Sequence, residues 1–245
     1  MMYRTFIGAC LALGLLGGAQ AAVRCDSFPN NTITGSVNDD VVAAGYSCTI
    51  AASGAVNGNL LQTGPGNLVI RGLVNGAVDE TGDGSITIAG GRIGGNVSEA
   101  DAGGVTVRGG SSVGGSIEES GLGGVNVTVD RPGVVNADII EQDGGGVTVT
   151  ASSGSFEGSV IEYGNGSVQI TIAAGQSFKG NVEEYDAGSV TALVDGFFEG
   201  NIAELAGGNV ATSGEGAFKG NSEHELPGTC SNTIATFEGA ACNLL

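Results

Sequence analysis

From residue 56 onward, apolar positions return on a fixed grid. Counting from the first apolar residue of each copy as position 0, nine copies begin at Val56, Val74, Ile93, Val113, Val135, Phe156, Phe178, Phe198 and Phe218. Glycine follows at position 2 in all but one, where Ala137 stands instead. Position 4 is apolar from Leu60 to Ile202 and breaks only at Ser222. Position 10 is glycine throughout, from Gly66 to Gly228, and position 12 is apolar from Leu68 to Val210, with Cys230 in the last copy. Successive copies are 18, 19, 20, 22, 21, 22, 20 and 20 residues long, and all the variation falls after position 12. One loop accepts insertions while the rest keeps register, which is the behaviour of stacked coils in a solenoid.

Apolar residues alternate with others around positions 0, 4 and 12 to 14, a period of two that argues strands rather than helices. The pattern predicts two short strands per copy joined by a glycine-rich turn, with glycine supplying backbone angles that other residues disfavour. Stacked in parallel at about 4.8 Å per coil, each strand pairs with its equivalents, and valine and isoleucine ladders fill a narrow core. Phenylalanine takes over that ladder in the last four copies. The fold class expected is all-β: a single parallel β-solenoid (β-helix) of about nine coils, 18–22 residues per coil.

The ends read differently. Arg4, the apolar run Phe6 to Leu16 and the small-x-small stretch Ala19-Gln20-Ala21 form a secretory signal peptide over 1–21, too short to span a bilayer. Residues 22–55 are expected to be an N-terminal cap with an incomplete first coil, 56–225 the repeats, and 226–245 a C-terminal cap. Without the signal peptide four cysteines remain, one pair near each end. An even count in an exported chain favours disulfides, and local pairing, Cys25 with Cys48 and Cys230 with Cys242, is the simplest of three connectivities. Both bridges would staple terminal coils, where strand edges otherwise recruit other chains. The expected location is outside the cytoplasm: periplasm, cell surface or extracellular space.

Charge narrows the partners. Removal of Arg4 leaves seven basic residues against 26 acidic ones, a net charge of about −19. Such a surface repels nucleic acid and anionic membranes and attracts cations, and no membrane insertion is expected after signal removal. Strong acidity also marks disordered chains, but 41% hydrophobic residues arranged in regular strands, with 47 glycines as punctuation, describe an ordered all-β protein.

Position 6 is the informative polar column: Gln62, Glu80, Glu99, Glu119, Glu141, Glu162, Glu184, Glu204 and His224. Stacked at coil spacing, ionised neighbours repel by roughly 0.9 kcal/mol in water and about 3.5 kcal/mol at an effective dielectric of 20. The column needs compensation. Locally, each carboxylate can accept N–H groups from the following turn, and some members can stay protonated. The alternative is Ca2+ bridging coils, for which Glu99 with Asp101, Glu141 with Asp143, and Glu184 with Asp186 offer a second acid and turn carbonyls the remaining oxygens.

Other columns read as stacking devices. Position 1 alternates sign through Glu157, Lys179, Glu199 and Lys219, and position 3 is rich in asparagine (Asn59, Asn96, Asn181, Asn201, Asn221), an amide ladder of the kind stacked β structures use. Outward threonines at Thr87, Thr106, Thr148 and Thr191 suggest an ice- or polysaccharide-binding face, though Asn126 and Gln169 interrupt them. Arg71 and Arg108 share an outward column as isolated surface charges. No catalytic residues stand out: the single histidine, His224, lies in the last copy and reads as a turn residue, and no enzyme activity is expected.

The phrase Φ-x-G-x-Φ, as in Ile93-Gly94-Gly95-Asn96-Val97 or Val74-Asn75-Gly76-Ala77-Val78, resembles the repeats of bactofilins, polymer-forming bacterial β-solenoids. The likeness covers residues 56 to about 225 and implies a scaffold-type fold; the signal peptide, terminal cysteines, longer copies and glutamate column depart from that family. The sequence thus points to a secreted bacterial structural or surface protein, in a scaffold, matrix or adhesion role through a rigid acidic face, whose partners are copies of itself or other surface components. A calcium-binding extracellular module is the first alternative.

Overall fold

The computed structural model describes residues 22–245; the signal peptide read over 1–21 lies outside the described residues. The chain is a stack of parallel strands. One sheet of 12 strands runs from Val23–Arg24 to Asn243–Leu244 and contains the position 4 to 8 segment of every copy. Twelve strands in one face make about eleven turns, at about 4.8 Å each a rod on the order of 50 Å long. A second sheet, of 15 strands, carries the position 12 segments.

Each turn holds three strands, not two. The third is short, as in Leu73–Val74 or Arg92–Ile93, and pairs in a separate five-strand sheet over the first half of the rod. In the second half it joins the second sheet, because Val210–Lys219 runs unbroken round that corner. A two-residue segment is too brief for alternation to announce it, which is why the periodicity shows only two.

The coil count also differs from nine. Ser36–Val37, Val41–Ala44 and Cys48–Ile50 form a complete turn within 22–55, paired in register with the first recognised copy. Its template is hidden: Asp39 replaces the glycine at position 2, Ala43 stands at position 6, and the stretch from Val41 to Cys48 is one residue shorter than its equivalent from Leu60 to Leu68. Val23–Arg24 and Thr32–Ile33 begin a further turn before it. At the other end Phe237, in register with Phe218, opens a further partial copy.

Registers elsewhere follow the template. Position 4 residues stack on position 4, as in Val78 on Val97 on Ile117, and all are buried. Phe156, Phe178, Phe198, Phe218 and Phe237 form a continuous stack, with ring centroids 5.0, 4.9, 4.6 and 4.7 Å apart. Each fully buried phenylalanine removes a large apolar surface from water. Both disulfides have the expected partners, Cys25–Cys48 and Cys230–Cys242, which fits an oxidising compartment outside the cytoplasm.

The position 10 glycines have a different cause from the one inferred. At Gly103, Gly123, Gly145 and Gly166 no positive φ occurs. Instead, a Cβ there would overlap the carbonyl oxygen of the equivalent glycine one turn earlier. Stacking, rather than backbone angle, requires glycine.

Candidate functional site

Position 6 lies two residues after the buried position 4, on the same side of the strand, so its side chain enters the core. Glu80, Glu99, Glu119, Glu141, Glu162, Glu184 and Glu204 are all 0% exposed, and each is the direct register partner of the next. Seven of the 26 acidic residues are therefore interior.

The turn that follows holds one oxygen of each. Gly103 N–H donates to Glu99 Oε1 at 3.1 Å, Gly123 to Glu119 at 3.1 Å and Gly145 to Glu141 at 2.8 Å. Glu162 accepts from Gly164 and Gly166, and Glu184 from Asp186 and Gly188. Glu204 has both oxygens engaged, by Ala206 and Gly207. Gln62 reverses the polarity, donating to Gly64 O at 2.9 Å. The local compensation that the sequence implies is thus present in six of the seven glutamates.

The second oxygen is another matter. Oε2 of Glu99, Glu119, Glu141, Glu162 and Glu184, and both oxygens of Glu80, are buried with no hydrogen-bond partner. An ionised carboxylate in that state, one strand spacing from two more, bears both a desolvation cost and repulsion. Protonating members of the column relieves both, because each O–H then donates to the oxygen of its neighbour. Burial accordingly pushes Glu80 up to about 8, with the neighbouring Glu99 adding to the effect. Burial likewise raises Glu119 and Glu162 to about 7 and Glu184 to about 8. Glu99 is also raised by burial, with hydrogen bonds from Glu80 and Glu119 opposing the rise, and so is Glu141, where the hydrogen bond with Glu162 opposes the rise and that with Glu119 adds to it. Glu99 is the natural acceptor between its two neighbours. The column stores protons; enclosed by the core, it presents no surface to a substrate.

The acids proposed to share Ca2+ are separated by the turn. Glu99, Glu141 and Glu184 point into the core, whereas Asp101, Asp143 and Asp186 are exposed. Asp101 and Asp143 have φ of 102° and 90°, at a corner where other copies carry Gly64, Gly82 or Gly121. The chain changes direction there, so the two-residue spacing no longer means a shared side. Among the described residues, no group of three or more His, Cys, Asp or Glu side chains is arranged to hold a metal ion.

Remaining columns divide. Lys219 Nζ lies 2.7 Å from Glu199 and Lys179 Nζ 3.9 Å from Glu157, exposed pairs worth tenths of a kcal/mol. The position 3 asparagines do not bond amide to amide. Their oxygens accept the backbone N–H of the next turn, as from Ala77 to Asn59 and from Asn221 to Asn201, because the corner there leaves that N–H outside the sheet ladder. A true amide ladder exists one corner earlier, Asn75 to Asn57 to Asn38, at 2.8 Å each. The outward threonines align, Thr87 with Thr106, before Asn126 and Gln169 interrupt the column. His224 is the last member of the position 6 column, above Glu204, and its Nδ1 lies 3.2 Å from Asn243 O. It belongs to a strand rather than a turn.

The two ends are unlike. At the N-terminal end, the 3-10 turns Cys25–Ser27 and Pro29–Asn31 fold over the core, with Cys25 buried and Phe28 packed against the interior. At the C-terminal end, strand Cys230–Glu238 pairs on one side with Val210–Lys219, and among the described residues no strand pairs with its outer side. Phe237 is only partly covered, and Leu244 and Leu245 are 57% and 54% exposed.

Comparison of the chain with protein families, with curated proteins and with solved structures returns no match.

Proposed function

We propose that this chain is an exported structural protein, a rigid acidic rod that serves as a scaffold by associating with a second copy through its C-terminal end. The observation that carries the reading is the unpaired outer side of Cys230–Glu238 beside the half-covered Phe237. A long open edge is a template for another chain. Nineteen outward acids make side-by-side approach repulsive at low salt, which leaves the ends as the contact. At the N-terminal end the 3-10 turns cover the core and the open edges, Val23–Arg24 and Thr32–Ile33, are only two residues long, which favours a closed, tail-to-tail pair with long acidic flanks presented to other surface components.

Light scattering on the oxidised protein, in calcium and then in EDTA, tests this. The expected mass in both is twice the chain mass, falling to one chain in Phe237→Lys. A single-chain mass at every concentration in both conditions refutes the scaffold reading. A mass that rises only with calcium transfers assembly to the exposed acids Asp101, Asp143 and Asp186.

A further inference from the structure

On a chain of net charge −18, the distribution of the few cations is informative. Among the described residues, Arg24, Lys179 and Lys219 each have a carboxylate within ion-pair distance: Asp26, Glu157 and Glu199. Arg71, Arg92, Arg108 and Arg131 do not, and three of these four, Arg71, Arg108 and Arg131, line one groove of about 550 Å³ along the corner after the second sheet. They come from three different turns. Arg71 and Arg108 share a column two turns apart, with Ala89 between them. Arg131 arrives by insertion. The copy beginning at Val113 is 22 residues long, and its extra length is the Asp130-Arg131-Pro132-Gly133 loop.

The groove is built rather than incidental. Glycines floor it: Gly90 and Gly109 have φ of 81° and 74°, and the Arg131 stem lies across Gly110, where a Cβ would meet Arg131 Cδ at 3.1 Å. The buried hydroxyl of Ser111 accepts from the Gly90 N–H at 2.9 Å and fixes that turn. The one acid on the wall, Asp130, is occupied by the Gly109 N–H at 2.8 Å. Three guanidinium groups therefore face solvent together, with fifteen planar N–H donors among them against the single carboxylate of Asp130, and none of the three has a carboxylate within ion-pair distance.

We propose that this groove binds a ligand bearing two or more oxyanion groups, whether phosphate, sulfate or carboxylate. Guanidinium forks match such groups in bidentate geometry. A ligand with one oxyanion engages one or two of the arginines and gains little over the repulsion of the surrounding acids. The site stands apart from the C-terminal edge and does not depend on the assembly reading.

Isothermal titration in low-salt buffer against inorganic tripolyphosphate, citrate and a sulfated hexasaccharide tests the proposal and distinguishes the three sources. At least one probe is expected to bind, at least about tenfold more weakly in R71Q/R108Q, as for a lost charge-assisted hydrogen bond. Binding should weaken as added salt shortens the screening length. The control K179Q/K219Q removes the same charge elsewhere and should leave affinity within about twofold. Gly90 and Gly109 amide resonances should move on binding. Failure of all three probes overturns the proposal, as does equal loss in both double variants, or binding that leaves those amides unmoved.

Discussion

The buried glutamate column makes a quantitative prediction about protons. Four of its members, Glu80, Glu119, Glu162 and Glu184, titrate at about 7 or 8 in the folded chain, against about 4.3 for a free glutamate. At about pH 6 they are some nine-tenths or more protonated when folded and almost fully ionised when unfolded. The folded protein therefore holds about four extra protons, and unfolding at that pH releases them. Because these pKa values are raised, the stabilisation is complete below about pH 4.5 and is lost as pH climbs through 7 to 8. Near pH 6 stability therefore falls as pH rises, by about 1.4 kcal/mol per pH unit for each extra proton the folded chain holds. The assay is proton release on unfolding in guanidinium, measured by pH-stat, with melting curves from pH 5 to 9. Glu119→Gln should lower the release by about one proton and flatten the slope. A release below one proton, or a melting temperature that rises from pH 5 to 9, would refute the shared-proton column.

Three further outcomes follow from packing. Phe198 sits fully buried between rings 4.9 and 4.6 Å away, so Phe198→Ala should cost about 4 kcal/mol in urea unfolding; a loss below about 1 kcal/mol would mean the stack closes over the gap. Gly145→Ala puts a methyl onto the Gly123 carbonyl and should destabilise by more than about 3 kcal/mol, whereas a neutral result would show that coils can separate locally. Asp101→Gly, at φ 102°, relieves a strained corner and should raise stability by about 1 kcal/mol, unless the exposed carboxylate has a role that calorimetry with calcium would reveal.

The chain by itself determined the stack. In a parallel solenoid each residue touches its own equivalent one turn away, so the period of the sequence is also the contact map. That is why the ladders from Val78 to Ile117 and from Phe156 to Phe237, and both disulfides, were readable in advance. The hidden turn at Val37 escaped because Asp39 and Ala43 break the template there.

What periodicity does not contain is the direction of the backbone at corners. The bend at position 8 sends Glu99 inward and Asp101 out. The bend at position 3 turns an asparagine ladder into caps on backbone N–H groups. The count of three strands per turn, and the insertion that brings Arg131 beside Arg71 and Arg108, depend on the same corners. The sequence specifies which residues stack, because stacking is a matter of spacing. Only the tertiary structure decides which of them face the core, the solvent or each other, because that is set by where the chain turns.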